Sequence, residues 1–278
     1  MPAVWFITGS SRGLGRALVT YALESGDKVV ATARKESALK SFSDAYGPDR
    51  FLALELDVTD FTATIGVAKR AFSHFGGVDI IVNNAGYADV GSIEDTPIDQ
   101  FRDQAETNLY GVVNVSKAFT PMLRERGRGH IFQISSIGGR VGSPGLAAYQ
   151  CSKWAVGGFS ACLSAELAPF NIKVTVLEPG AMDTEWAGSS MQVVPTTEAY
   201  QSTVGQFAKM LKAGFTNATD PKRVGPIIRK LYESEEPPAK MLVGPDAYGY
   251  GTYILQEQLK SDEKWKDLSE SSVAPAST

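Results

Sequence analysis

Six short apolar runs, Val4–Thr8, Lys28–Ala33, Phe51–Leu56, Asp79–Val82, His130–Ser135 and Ile172–Leu177, alternate with longer stretches whose apolar residues recur at helical spacing. Strands that take turns with helices must be joined by crossovers, so they lie parallel with helices on both faces. The runs are apolar without interruption, as in Val4-Trp5-Phe6-Ile7 and Ile80-Ile81-Val82, which is the pattern of strands covered on both sides. The implied fold class is α/β, a doubly wound parallel sheet. The first helical stretch, from Gly13 to Ser25, stops at Gly26, a residue suited to a left-handed cap, and Asp60 is placed to cap the start of the third. After Gly180 the alternation breaks. Residues 182–217 mix Trp186, Met191, Phe207 and Phe215 with Ser, Thr and Gln, and we read them as a partly helical substrate lid. A helix over Asp220–Glu233 and a strand at Met241–Val243 complete the sheet. One domain is expected over residues 1–260, and the polar tail from about Ser261 to residue 278 is expected to fray.

With 43% hydrophobic and 21% charged residues, 278 residues can bury one large core. A net charge of -4 leaves no basic excess for a nucleic acid or an anionic membrane. No run reaches the roughly 20 apolar residues that cross a bilayer, and no charged leader precedes Val4, so a soluble, cytoplasmic protein is expected. Cys151 and Cys162 fall on one predicted helix about 16 Å apart along its axis, too far to bridge. They are expected to be buried or half-buried thiols in a reducing compartment. His74 and His130 are the only histidines, and no metal-ligand cluster is expected.

The first strand runs directly into Thr8-Gly9-Ser10-Ser11-Arg12-Gly13-Leu14-Gly15, where a helix begins. Gly9, Gly13 and Gly15 let the backbone turn sharply and come close to a pyrophosphate, and the free N–H groups of a helix start attract negative charge. The same turn without a ligand would simply be tight. The second strand ends in Ala33-Arg34-Lys35, where an adenine ribose should lie. An acidic residue there would select a free 2′-hydroxyl and repel a 2′-phosphate. Arg34, with Arg12 approaching from the first turn, favours the phosphate of NADP(H); the lesser alternative is that Arg34 is a solvated helix-start cation. Asp57, beside Val58, follows the third strand as a turn or cap residue. Asn83-Asn84-Ala85-Gly86 follows the fourth, where small residues leave room and amides tie neighbouring backbones together.

Tyr149 and Lys153 are one helical turn apart and share a face. A free phenol titrates near 10, so it is a poor base near neutrality unless a cation such as Lys153 stabilises its anion. Ser136 closes the fifth strand, at the carboxyl edge where ligands of such sheets sit. Asn108, within Thr107-Asn108-Leu109-Tyr110-Gly111, is unfavourable inside a helix and points to a role for its amide, a kink, or a packing contact.

Taken together, Thr-Gly-x3-Gly-x-Gly, Asn-Ala-Gly, the serine and Tyr-x3-Lys, spread over residues 4–184, resemble the short-chain dehydrogenase/reductase family with its Rossmann fold. The branch is similar to the steroid- and retinol-dehydrogenase-like NADP-dependent members, in which Glu178 often replaces an asparagine. The resemblance implies that Asn108, Ser136, Tyr149 and Lys153 are catalytic. It places the cofactor against Gly9, Ser11, Arg12, Gly13, Leu14 and Gly15, then against Arg34, Asp57, Val58, Asn84, Ala85 and Gly86. Tyr149, Lys153, Pro179, Gly180 and Thr184 would complete that surface, and Asn83 would be structural. In the family's mechanism Ser136 holds a carbonyl oxygen, Tyr149 protonates it, and nicotinamide delivers hydride. Lys153 lowers the tyrosine pKa and binds the ribose, and Asn108 fixes a water that relays protons. A carbonyl compound or alcohol is the implied substrate, walled by Ile137 to Leu146, Trp186 and Met191, with Gly138, Gly139, Gly142 and Gly145 making the first wall mobile; the apolar lid residues favour a small hydrophobic one, and ordinary core packing explains them equally well. Arg140 would be a solvated loop cation or meet a substrate anion. Trp154 and Phe159 would be core or belong to a homo-oligomer interface. The rival readings are a regulatory or scaffold protein and a non-redox reaction on the same fold.

Overall fold

A computed structural model describes residues 2–184 and 191–273; Trp186 lies outside them. The alternation predicted from the runs is present. In chain order the elements are β1 (Val4–Ile7), α1 (Gly13–Glu24), β2 (Lys28–Ala33), α2 (Lys40–Tyr46), β3 (Phe51–Glu55), α3 (Phe61–Phe75) and β4 (Ile80–Asn83). They continue with α4 (Ile98–Ala105), α5 (Gly111–Arg126), β5 (Gly129–Ile134), α6 (Ala147–Leu167) and β6 (Ile172–Pro179). The last are α7 (Gln206–Ala213), α8 (Val224–Glu233), β7 (Lys240–Val243), α9 (Pro245–Lys264) and α10 (Lys266–Glu270). The sheet is parallel throughout, in the order β3-β2-β1-β4-β5-β6-β7. The chain leaves β1 in one direction and later departs from β4 in the other, so a crevice opens between their carboxyl ends.

Successive residues of β1 feed opposite layers, as a period of two demands. Trp5 and Ile7 pack with Leu18, Leu23 and Ile228 on one side, and Phe6 with Val67, Phe119 and Leu123 on the other. Each such side chain removed from water contributes about 1.5–3 kcal/mol. The Trp5 indole N–H donates to Asp27 Oδ2 at 2.8 Å, so burial of the ring leaves no orphan donor. Asp60 caps α3 by accepting from the Ala63 amide at 2.8 Å, and Gly26 takes the left-handed conformation (φ 88) after α1.

The lid is partly helical, with a 3₁₀ turn at Glu198–Tyr200, a π turn at Gln201–Gly205 and then α7. Its apolar side packs Val204, Ala208 and Leu211 against Ala88, Val90, Leu146 and Tyr149. A short parallel bridge seats it on the loop after β4, with Val90 N donating to Gln192 O and Val194 N to Val90 O, both at 2.8 Å.

Two expectations are corrected here. The tail does not fray at Ser261: α9 runs on to Lys264, and α10 follows. Residues 255–273 are all exposed, and their surface carries charge pairs such as Lys260–Glu257 on α9 and Lys266–Glu270 on α10. Cys151 and Cys162 are both exposed. The buried face of α6 carries Tyr149, Lys153, Val156, Ser160, Leu163 and Leu167, which turns both thiols outward. Among the described residues no helix is long and apolar enough to cross a membrane.

Candidate active site

The turns after β1 and β4 are clasped together at the crevice. Thr8 Oγ1 accepts from the amides of Asn84 and Ala85, both at 3.0 Å, and Asn84 Nδ2 donates to Thr8 O at 2.9 Å and Gly9 O at 3.2 Å. This closeness requires glycine. A Cβ on Gly9 would lie 2.9 Å from Ala85 Cα, and one on Gly15 only 2.3 Å from Gly9 O. Gly13, at φ +54, has free space instead, and a Cβ there would come no nearer than 3.7 Å to Thr184 Cβ. The first turn and the loop after β6 thus face one another. The Arg16 amide makes the first intrahelical bond of α1, to Arg12 O, so the amides of Gly13, Leu14 and Gly15 precede it. That helix start has no side-chain cap and no acidic residue. Such an end suits an anion.

Farther along the same edge, Ser10 N donates to Thr32 O at 2.9 Å, which sets the end of β2 beside the glycine turn. Arg34 and Arg12, with Ser11 between Arg12 and the turn, are exposed, and neither guanidinium has a hydrogen-bond or ion-pair partner among the described residues. The charge of Arg34 reaches Tyr87 after β4, whose phenol is pushed up by burial and then by Asp89 and Asp103, with Arg34 opposing. Asp57 accepts from Thr59 N at 3.0 Å and Thr59 Oγ1 at 2.8 Å, the turn role expected of it. Val58 is buried against Gly111, and its carbonyl accepts from Asn114 Nδ2 at 2.9 Å. Asn83 bridges Ser116 and Gln133 inside the sheet.

The chemical group gathers at the ends of β5 and β6. Tyr149 and Lys153 share the buried face of α6, with Lys153 Nζ 5.6 Å from the Tyr149 ring centroid. Lys153 Nζ donates to Ile134 O at 2.8 Å, two residues before Ser136. The Ser136 side chain is hydrogen-bonded to Tyr149, accepts from Gly138 N at 3.0 Å and donates to Pro179 O at 3.4 Å. Asn108 lies in a π turn, Glu106–Tyr110, and its amide is fastened to the Tyr87 backbone, accepting from N at 3.0 Å and donating to O at 2.8 Å. A Cβ on Gly86 would sit 2.8 Å from Asn108 Oδ1 and 3.6 Å from Lys153 Nζ, so Gly86 lies between the two. The structure therefore brings Ser136, Tyr149, Lys153, Asn108 and Gly86 together.

Burial governs the charges. It pushes the Tyr149 phenol up to about 12, against the pull of the Ser136 hydrogen bond. The Lys153 ammonium is brought down to about 8 by the same loss of water. Lys153 Nζ is turned to the Ile134 carbonyl, and the lid cluster strips water from the phenol.

Three contacts had no sign in the sequence. Arg140 is neither solvated nor free for a substrate, because it pairs with Glu178 at the end of β6. Asp246 at the start of α9 accepts from the Ala181 amide at 2.7 Å, and its carboxylate fills the space a Cβ on Gly180 would need. The glycines of the first wall allow close packing more than motion: a Cβ on Gly139 would lie 2.8 Å from Ser135 Oγ, one on Gly145 3.0 Å from Val204, and only Gly142 faces open space. Met191 packs with the Tyr149 cluster, Phe159 packs against the core, and Trp154 is half exposed with its indole N–H 3.4 Å from Val141 O.

Comparison with known proteins agrees with this arrangement. Residues 3–193 match the short chain dehydrogenase family model. The chain is 50% identical over 270 residues to oxidoreductase BOA17 of Botryotinia fuckeliana, covering 97% of this chain and 98% of that one. A solved short-chain dehydrogenase from Streptomyces avermitilis superposes with a TM-score of 0.92 at 36% identity, covering 98% of each chain. A short-chain dehydrogenase from Burkholderia cenocepacia, solved in complex with NADP, superposes with a TM-score of 0.75 at 26% identity over 95% of this chain and 97% of that one. With the sheet order, the glycine turn and the Ser136–Tyr149–Lys153 cluster in place, the chain belongs to the short-chain dehydrogenase/reductase family of oxidoreductases.

Proposed function

We propose that this protein is an NADP(H)-dependent reductase of a small, hydrophobic carbonyl compound, working in a reducing compartment such as the cytoplasm. The observation that carries the reading is the buried contact of Tyr149 with Ser136, beneath the apolar lid and next to Lys153.

The residues fit the cofactor. Glycine at positions 9, 13 and 15, with uncapped first-turn amides, suits a pyrophosphate. Ala33 offers no carboxylate to a ribose, and the guanidiniums of Arg12 and Arg34, which have no partner among the described residues, suit a 2′-phosphate. The solved relative from Burkholderia cenocepacia holds NADP, which supports the same choice. Asp57 and Val58 would border the adenine, Asn84, Ala85 and Gly86 the middle of the molecule, and Pro179, Gly180 and Thr184 its nicotinamide end. Two exposed, unbridged cysteines accord with a reducing compartment.

When bound, the nicotinamide supplies or accepts hydride. The chain's own residues do the rest. Ser136 orients the carbonyl oxygen, and Tyr149, protonated at neutral pH because burial raises its pKa, gives that oxygen a proton. Lys153 provides positive charge beside the phenol and is largely protonated below about 8. Asn108 holds the 86–87 backbone in place. Val204, Ala208, Leu211 and Leu146 exclude water, so an apolar substrate is favoured.

The test is single-turnover loss of NADPH absorbance with a panel of aliphatic and aromatic ketones and aldehydes. Wild-type protein should oxidise NADPH with at least one compound, while Tyr149→Phe should lose at least about a hundredfold in rate and still bind NADPH. Turnover retained by Tyr149→Phe removes the tyrosine from its role, and no oxidation by the wild type with any compound overturns the reading.

A further inference from the structure

The loop after β5 and the end of β6 are joined by a buried ion pair that the mechanism does not use. The Glu178 side chain is 1% exposed and that of Arg140 17%. Arg140 Nε donates to Glu178 Oε2 at 2.7 Å, and Nη2 reaches the same oxygen. Both partners are close neighbours of Ser136. Arg140 ends the single turn that starts at Ser136, in which Gly139 N bonds to Ser136 O and Arg140 N to Ile137 O, each at 2.9 Å. Glu178 immediately precedes Pro179, whose carbonyl receives the Ser136 hydroxyl. On the opposite side a Cβ on Gly139 would lie 2.8 Å from Ser135 Oγ and 3.0 Å from the Lys153 carbonyl oxygen, so the turn lies close to α6.

An ion pair this deeply buried is a poor source of stability, since apolar side chains of similar volume do as well or better. What a guanidinium on a carboxylate supplies is fixed distance and angle. Here those constraints act between the two backbone segments that set the Ser136 side chain.

We propose that Arg140 and Glu178 are positioning residues that keep the Ser136 side chain beside Tyr149, from where its hydroxyl turns from the Pro179 carbonyl to the substrate oxygen during carbonyl reduction. The proposal rests on the reductase reading above. Neither residue touches the reacting atoms. Their effect passes through the turn Ser136–Arg140 and through Pro179.

The test compares wild type with Arg140→Lys and the double variant Arg140→Met/Glu178→Met, which removes both charges at similar volume. One readout is hydrogen exchange at the Gly138 amide, which is bonded to Ser136 Oγ and needs no substrate. The other is kcat and the KM for NADPH with the carbonyl panel. The double variant should melt near the wild type, exchange Gly138 about tenfold faster and lose roughly tenfold to a hundredfold in kcat, with KM for NADPH within about twofold. Arg140→Lys, which keeps the charge but not the fork, should fall between, and it decides by the same readouts should the double variant not fold. Unchanged exchange and kcat overturn the proposal, and so does a loss of NADPH affinity equal to the loss of kcat. If the wild type oxidises NADPH with no compound, the reductase reading fails, and Gly138 exchange alone then decides whether the pair holds the serine.

Discussion

Arg34 stands exposed at the carboxyl end of β2, after Ala33 and beside the glycine turn. A charge-assisted contact of this kind is worth about 1.5–3 kcal/mol, so Arg34→Ala should weaken NADPH roughly tenfold to a hundredfold. NADH, which lacks the 2′-phosphate, should change by less than about threefold, since no charge-assisted contact is lost. Fluorescence titration with both cofactors measures this, and equal losses would remove the phosphate contact. Residue type and position make Arg34 a candidate on sequence alone, because a guanidinium directly after β2 is a local feature. Tyr149 was readable as the acid/base candidate for the same reason. The burial that raises its pKa was not, because the lid residues that cover the ring lie far from it in sequence.

The glycine turn and the loop after β5 use glycine differently, although each carries several. At Gly15 a Cβ would strike the Gly9 carbonyl, which is backbone and cannot rotate away. Gly15→Ala should therefore destabilise the protein by about 1–3 kcal/mol through overpacking. It should also weaken NADPH by displacing the turn. Gly142→Ala meets open space and should change stability by less than about 0.5 kcal/mol. Urea unfolding with NADPH titration separates the two, and a tolerated Gly15→Ala would show that the turn can yield. At the level of elements the strands were legible to within one or two residues, because unbroken apolar runs bounded by turn residues leave little choice of register. The unfavourable Asn108 marked the place where the helix opens into a π turn. The α6 thiols and the C-terminal helices were misread. Burial of a helix face depends on what packs against it, which the residues near Cys151 and Cys162 do not reveal by themselves.

The whole sheet is reported by His130, at the start of β5. Its ring stacks on Phe132 with centroids 3.9 Å apart, and Nε2 is 2.9 Å from Thr175 Oγ1 on β6. Burial, and then the charge of Lys173, bring the imidazole down to about 3. The folded pKa is thus below the ordinary value, so the neutral ring's contribution is present above about 6.5 and is lost as pH falls and the unfolded chain alone takes up the proton. Between pH 7 and pH 5 this single group should remove about 2 kcal/mol from the unfolding free energy. Urea unfolding at both pH values should show that difference between wild type and His130→Gln, and identical pH dependence in the two would refute it. The sequence by itself determined the α/β class, the strand positions, the glycine turn and the pairing of Tyr149 with Lys153. Each is written in residues only a few positions apart, where backbone geometry and side-chain period leave few alternatives. Only the tertiary structure decided that Arg140 meets Glu178, that Asp246 holds the loop at Ala181 and that the lid closes on Tyr149. Those partners are brought together by the sheet order, and the protonation of buried groups follows from the water that this packing excludes.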